Sequence, residues 1–428
     1  MLSKEENELL CKVEGKAAMG QMMRHHWVPA CMSEELVESD GDPVRVRLFG
    51  EDLVAFRDTD GKIGLIKEYC PHRRASLFYG RNEESGLRCL YHGWKMDVAG
   101  NVVDMPSEPQ GSKLCEKIKH PAYPAREAAG FIWVYMGDPE KIPEFEPPAF
   151  AGGPNPKISI VKIRIPCNWA QVLEGAIDSA HSSTLHSSDI RPARVERAGM
   201  TSEFMTRPST DKSPRLQAQE TGYGMRYAAI RRPIHNAASH DYVRISVYIA
   251  PFTVLIPPNS QYSLLQLTAP IDDANTMFYF IAWSDDVTGC TGIDQDTWRK
   301  FCGAQVGVDL DKDYNKIYNR SNDYGQDRKA MKSGDFTGIR GIPNQDIVMW
   351  ETMGQIADRS DDRLGASDLA IVQFRRLMVN AVTAFRDNGS VIGLGEPRTC
   401  AATISSFEGM LPKAEDWRNI STDSTVPA

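Results

Sequence analysis

The sequence has no run approaching the roughly 20 consecutive apolar residues that a membrane-spanning helix needs, so no membrane segment is expected. It has no clustered positive charge either: 49 basic side chains stand against 57 acidic ones, a formal net charge of −8. Nucleic-acid phosphates are bound by a concentrated basic face, so no nucleic-acid partner is expected. No glycine fingerprint opens a helix ahead of a ribose-binding acid, so the chain has no evident nicotinamide site of its own. Internal repeats and low-complexity tracts are absent. Cysteine is scarce: nine in 428 residues, an odd number that makes no disulfide framework. Seven of them (Cys11, Cys31, Cys115, Cys167, Cys290, Cys302 and Cys400) stand alone and read as small buried hydrophobes. The start, Met1-Leu2-Ser3-Lys4-Glu5-Glu6, is polar and acidic, unlike a signal or transit peptide. A cytoplasmic protein is expected.

What the chain does have is ordinary globular texture, with 41% hydrophobic and 25% charged residues, at a length that suits two or three domains. Residues 1–25 predict a helix, with Leu9, Leu10, Val13 and Ala17 at helical spacing. Residues 26–148 turn to short strands and Gly-rich turns, among them Val44–Phe49, Leu53–Phe56 and Phe131–Tyr135, and predict a small antiparallel β domain. Six prolines between Pro139 and Pro156 read as a linker. Residues 149–428 predict a second domain, with strands at Ile158–Ile165, Tyr242–Ile249 and Met277–Trp283. Its helices are expected from about Trp169, at about 294–307 and at about 366–385. A sheet covered by helices on one side, an α+β layer, follows. The polar tail after Pro412 is expected to be poorly ordered.

Cys70-Pro71-His72 is followed, after sixteen residues, by Cys89-Leu90-Tyr91-His92. Each short loop presents one thiolate and one imidazole, the stoichiometry of a Rieske-type [2Fe–2S] cluster, with two cysteines on one iron and two histidines on the other. Gly93 allows a tight turn and Trp94 a bulky shield. Zinc accepts the same ligand types, but zinc fingers pair Cys with Cys and set their histidines on a helix.

A second constellation runs from Asn168 to His186. Read as a helix, Trp169, Val172, Leu173, Ala176, Ile177 and Ala180 form an apolar face, while Glu174, Asp178 and His181 share another. His181 and His186 are five apart, about 140° round a regular helix, so the helix must bend or end between them, with Ser182-Ser183-Thr184 the candidate place. Two histidines and a carboxylate make the facial triad that leaves open positions on Fe(II). Asp346, delivered to a helix start by the loop Gly338–Pro343, is the chosen third ligand, and Glu351 is its rival.

Cys70-Pro71-His72-Arg73 and Cys89-Leu90-Tyr91-His92-Gly93-Trp94 resemble the Rieske domain of ring-hydroxylating oxygenases. The Asn168–His186 stretch is similar to that family's iron-binding segment, and the resemblance covers nearly the whole chain. It implies an N-terminal all-β Rieske domain and a C-terminal antiparallel sheet of helix-grip type. It also implies a mononuclear Fe(II), O2 as co-substrate, and electrons drawn ultimately from NADH through a separate reductase. Asp178 would join His181 to His92 of the neighbouring subunit, which implies a homo-oligomer, a trimer or stacked trimers. A Rieske electron carrier without catalysis and a structural zinc protein are the competing classes. A ferredoxin would need only the first domain.

Residues 335–368, with Gly338-Ile339-Arg340-Gly341, Gln345-Asp346 and Asp358-Arg359, look like the phthalate 4,5-dioxygenase group, which also includes O-demethylases of methoxybenzoates. Both substrate classes are aromatic carboxylates, which arginine captures in bidentate fashion. Arg244 shares a strand face with Tyr242, Ser246 and Tyr248, and Arg207 lies between the histidine helix and the next strands. Arg207, Arg244 and Ser179 are the expected substrate-binding residues, with Arg226, Arg231 and Arg232 as alternatives.

Overall fold

The computed structural model describes residues 2–192, 205–257, 262–286 and 291–423. The chain divides into two compact units, Val13–Phe145 and Met1–Lys12 with Glu146–Ala428. The single helix expected over residues 1–25 is two helices, α1 (Lys4–Cys11) and α2 (Ala18–Met23). Ser3 and Glu6 cap α1 reciprocally. It stops because the Cys11 carbonyl is taken by the side chains of Asn168 and Trp169, at 2.9 and 3.2 Å, and because Lys12 turns extended to pair with Asp273 at 3.0 Å. The first helix therefore belongs to the second unit.

The Val13–Phe145 unit is built from three small antiparallel sheets. One pairs Trp27–Met32, Phe131–Tyr135 and Ala125–Ala128; another pairs Val44–Leu48, Glu51–Arg57 and Ile63–Lys67. The third runs Arg81–Glu83, Gly86–Arg88, Lys95–Met96 and Val102–Asp104. Val54 and Phe56, two apart on one strand and so on the same face, join Ile66, Leu87 and Met96 with Cys70, Cys89 and Trp94 in one buried cluster. The two cysteine loops thus grow directly out of the core.

The second unit is an eight-stranded antiparallel sheet. Its path runs Lys157–Ile165, Asn275–Ser284, Ser263–Asp272, Thr253–Ile256, His240–Ile249, Gly224–Arg231 and Arg215–Thr221, and Phe407–Pro412 also pairs with His240–Ile249. Five further helices accompany it among the described residues: α3 (Trp169–Ile177), α4 (Gln295–Cys302), α5 (Arg328–Lys332), α6 (Ile342–Thr352) and α7 (Leu369–Asn388). A left-handed Gly303 ends α4 five residues short of the expected 307. Close packing of α6 on α3 depends on Gly175: a Cβ there would stand 2.1 Å from Trp350 Nε1.

The tail after Pro412, expected to be poorly ordered, is packed as far as residue 423. Trp417, 3% exposed, joins Ala228, Ile230, Val243, Ile245 and Leu411 in a cluster on one face of the sheet, so one aromatic anchors an otherwise polar segment. Of the lone cysteines, Cys11, Cys31, Cys167 and Cys302 are buried as expected. Cys115 and Cys400 are only half-buried, and Cys290 lies outside the described residues.

Candidate metal centres

The two cysteine loops of the first unit close in the same way. Cys70 N–H donates to the Ala75 carbonyl at 2.9 Å while Arg74 N–H donates back to Cys70 at 3.0 Å. Cys89 N–H donates to Trp94 at 2.8 Å while Gly93 N–H donates back to Cys89 at 3.0 Å. The residue four after each cysteine is left-handed, Arg74 at φ 64° and Gly93 at φ 76°. Gly93 is required for space as well, since a Cβ would meet Pro106 at 2.5 Å. These turns bring His72 and His92 to 4.5 Å between ring centroids, with Trp94 stacked on His72 at 4.6 Å. The Nδ1 atoms of both rings are buried without a hydrogen-bond partner among the described residues, and both cysteines are buried. Two orphaned imidazole nitrogens beside two buried thiols are a donor set that fits a cluster taking two sulfur and two nitrogen ligands.

In the second unit, α3 ends at Ile177, earlier than the serine run the sequence suggested. Asp178 caps it, and its Oδ1 then accepts from Ala180 N–H at 2.7 Å and His181 N–H at 3.3 Å, starting a short 3₁₀ turn at His181–Ser183. Glu174 therefore does not share a face with Asp178 and His181. It turns to the buried guanidinium groups of Arg359 and Arg375, each at 2.7 Å. The changed chain direction brings His186 Nε2 to 3.2 Å from His181 Nε2.

Asp346, on α6, completes a triangle: its Oδ1 lies 3.3 Å from His181 Nε2 and 3.2 Å from His186 Nε2. Divalent-ion bonds of about 2.1 Å at right angles put neighbouring donors about 3.0 Å apart, so these sides fit three ligands on one face of an octahedron. Glu351, the rival, accepts instead from Tyr324 Oη at 2.8 Å. Among the described residues, His181, His186 and Asp346 form the one group of three metal-ligating side chains found close enough to hold an ion.

Behind the histidines stand different groups. Asp178 Oδ2 lies 3.6 Å from His181 Nδ1. Gln345 Oε1 lies 2.7 Å from His186 Nδ1, while its amide nitrogen donates to Asp189 at 2.8 Å and to the Ile339 carbonyl at 3.0 Å. With that nitrogen committed, the Gln345 oxygen must face the ring, so His186 carries its proton on Nδ1 and turns an Nε2 lone pair to the triangle. Burial opposes charge on His181, yet Asp178 and Asp346 carry its pKa up to about 10. Burial would raise Asp346, but His186 and His181 hold it well below the usual carboxylate range.

A cavity of about 100 Å³ opens on this triangle. Arg207, Arg244 and Ser179 line it, together with Ile256, Leu264, Phe278, Phe280 and other apolar side chains. Ser246 lines it beside Arg244, whereas Val243 and Ile245 pack into the cluster on the opposite face, as the strand alternation requires. Arg244 is already engaged: Glu408 lies at 3.0 Å and the Pro257 carbonyl at 2.6 Å. Glu408 carries no local sequence signal, because it reaches Arg244 only through pairing of two distant strands. Of the alternatives, Arg226 is bound to Gln219 and to the carbonyls of Arg418 and Ile420, Arg232 is exposed, and Arg231 is buried.

Comparison with known proteins agrees with this geometry. Residues 26–124 match the Rieske [2Fe-2S] domain family, and residues 134–427 match the family described as LigXa C-terminal domain like. The chain is 61% identical to the phthalate 4,5-dioxygenase oxygenase subunit of Pseudomonas putida, over 98% of this chain and 94% of that one. It is 35% identical to the 3-chlorobenzoate-3,4-dioxygenase oxygenase subunit of Comamonas testosteroni, over 96% of each. The solved structure of an NdmA mutant from Pseudomonas putida CBB5 with caffeine shares the fold at a TM-score of 0.59 and 18% identity, over 87% of this chain and 95% of that one. Among the described residues no helix is long and apolar enough to cross a membrane. A Rieske domain followed by a domain carrying two histidines and an aspartate, with this degree of identity, makes the chain an oxidoreductase that belongs to the Rieske non-haem iron oxygenases, in the family of the phthalate 4,5-dioxygenase oxygenase subunit.

Proposed function

We propose that this chain is the terminal oxygenase that adds both atoms of O2 to an aromatic dicarboxylate, phthalate, giving its 4,5-cis-dihydrodiol. The observation that carries this reading is the shared cavity, in which two arginines and an apolar wall face the same space as His181, His186 and Asp346. Cys70, His72, Cys89 and His92 would hold the [2Fe–2S] cluster, and His181, His186 and Asp346 the Fe(II). When bound, the cluster supplies electrons and the iron activates O2. The chain's own residues do the rest. Arg207, Arg244 and Ser179 orient the carboxylates, and the phenylalanines exclude water and hold the ring.

Asp178 would link His181 to His92 of a neighbouring copy, which calls for a ring, a trimer or stacked trimers. Electrons would arrive from NADH through a separate reductase. A cytoplasmic location suits a cluster that needs free thiolates. The test is a product assay of the iron-loaded protein with a reductase, NADH and O2, offered phthalate, benzoate and a methoxybenzoate in turn. The expected result is the cis-dihydrodiol from phthalate. Formaldehyde from the methoxybenzoate, with phthalate untouched, would replace this assignment with an O-demethylase.

A further inference from the structure

Three guanidinium groups gather on one side of the cavity. Arg231, Tyr242 and Arg244 share a face of the sheet, because Arg231 pairs with Tyr242 and Arg244 lies two residues further along the same strand. On the arginine side the three guanidinium groups meet one carboxylate among the described residues: Glu408 accepts from Arg244 at 3.0 Å and from Tyr242 Oη at 2.7 Å, while Asp178 and Asp346, which also line the cavity, are turned to His181 and His186. Among the described residues, neither Arg207 nor Arg231 has a carboxylate partner. Arg207 donates to the hydroxyls of Ser183 and Ser182, at 3.2 and 3.3 Å. Arg231 donates to the Ser179 carbonyl at 2.7 Å and to Ser183 Oγ at 3.4 Å. Arg207 Nε, Arg231 Nε and Arg231 Nη1 are buried with no acceptor among the described residues. Asp211, the next acid, is occupied by the backbone amides of Ser213 and Arg232. Burial and the neighbouring arginines pull Arg231 down to about 9, and they pull Arg207 down to about 10. An uncompensated buried charge is costly, and such a cluster persists where a ligand completes it.

We infer that Arg231, which does not itself line the cavity, is the residue that tunes this site to a doubly charged ligand. With Arg207 it is one of two guanidinium groups here that lack a carboxylate partner among the described residues, and it fixes Ser179, which does line the cavity. The inference rests on the dicarboxylate assignment above and deepens it. A monocarboxylate can be satisfied by Arg207 alone, whereas a second carboxylate draws on the field of Arg231 in a poorly solvated space. Arg231 is a positioning and specificity residue, acting through charge and through the Ser179 carbonyl.

The test is equilibrium dialysis of iron-loaded enzyme, without O2 or reductant, against phthalate and against benzoate. Arg231→Gln keeps a donor for Ser179 but no charge; Arg231→Lys keeps the charge. The wild type should prefer phthalate. In Arg231→Gln that preference should fall about tenfold or more, through weaker phthalate binding, while benzoate changes less than about threefold. Arg231→Lys should keep the preference to within about threefold. A glutamine variant that keeps the wild-type ratio, or loses both ligands equally, overturns the inference. Should the glutamine variant fail to fold, the lysine variant decides, because a lost preference with the charge retained overturns it too. A wild type that binds both ligands alike overturns the dicarboxylate assignment and this inference with it, and it is told apart because it appears before any substitution.

Discussion

His181 and His186 bring the same ring to the same triangle, but one is backed by the carboxylate of Asp178 and the other by the neutral amide of Gln345. Because Gln345 is pinned by Asp189 and by the Ile339 carbonyl, it acts as a fixed acceptor for His186 Nδ1. Groups that orient a metal-binding imidazole typically contribute about 10- to 100-fold in metal affinity. Gln345→Leu should therefore weaken Fe(II) binding by about that factor while the Rieske absorbance stays unchanged, as read by metal titration of stripped protein. An unchanged affinity would reduce Gln345 to a packing residue. The groupings that the structure brings together were legible in the sequence, since the Cys–x–His and Cys–x2–His loops and the His–x4–His spacing are local. Gln345 and Glu408 were not, because their roles exist only after α6 and the paired strands bring distant residues together.

At the scale of elements, α3 shows why an apolar stripe is an incomplete guide. Its face was readable, but its end was not, because no glycine or proline marks Ile177 and the stop is made by the Asp178 side chain capping the next turn. Glu174 consequently serves structure. It neutralises Arg359 and Arg375, and Arg359 also donates to Asn7 of α1 at 3.0 Å. Glu174→Gln leaves these two guanidinium groups short of a buried counter-charge, and breaking one side of a buried pair costs about 3–5 kcal/mol. The variant should show a clear loss of stability in urea unfolding at pH 7. Burial alone would raise the Glu174 pKa, but Arg359 and Arg375 lower it in the folded state. Its contribution is thus present above the unfolded carboxylate value of about 4.3 and is lost as pH falls through the lower folded value. The gap between wild type and Glu174→Gln should hold at pH 7 and narrow below about pH 4; a gap that widens in acid would contradict this account.

On the scale of the whole molecule, the order of a β unit followed by an α+β unit could be read from strand texture and the proline-rich linker. The allegiance of α1 could not, because it depends on Asn168 and Trp169 reaching back over 150 residues to the Cys11 carbonyl. If Asp178 passes electrons from a neighbour's cluster, then subunits carrying His92→Ala and subunits carrying Asp346→Ala should recover activity when mixed and reassembled, since each lacks a different centre. Turnover of the mixed oligomer measures this, and no recovery in well-mixed samples would count against the bridge.

The claim beneath all of these is that one chain carries two separate iron centres on the residues named. Iron and acid-labile sulfide analysis of the wild type, Asp346→Ala and Glu351→Ala tests it most directly. The wild type should hold about three irons and about two sulfides per chain, with a Rieske spectrum. Asp346→Ala should lose about one iron and all turnover with the spectrum intact, while Glu351→Ala keeps its iron. Zinc in place of the cluster, or an Asp346→Ala variant that retains its full iron and activity, would contradict the account.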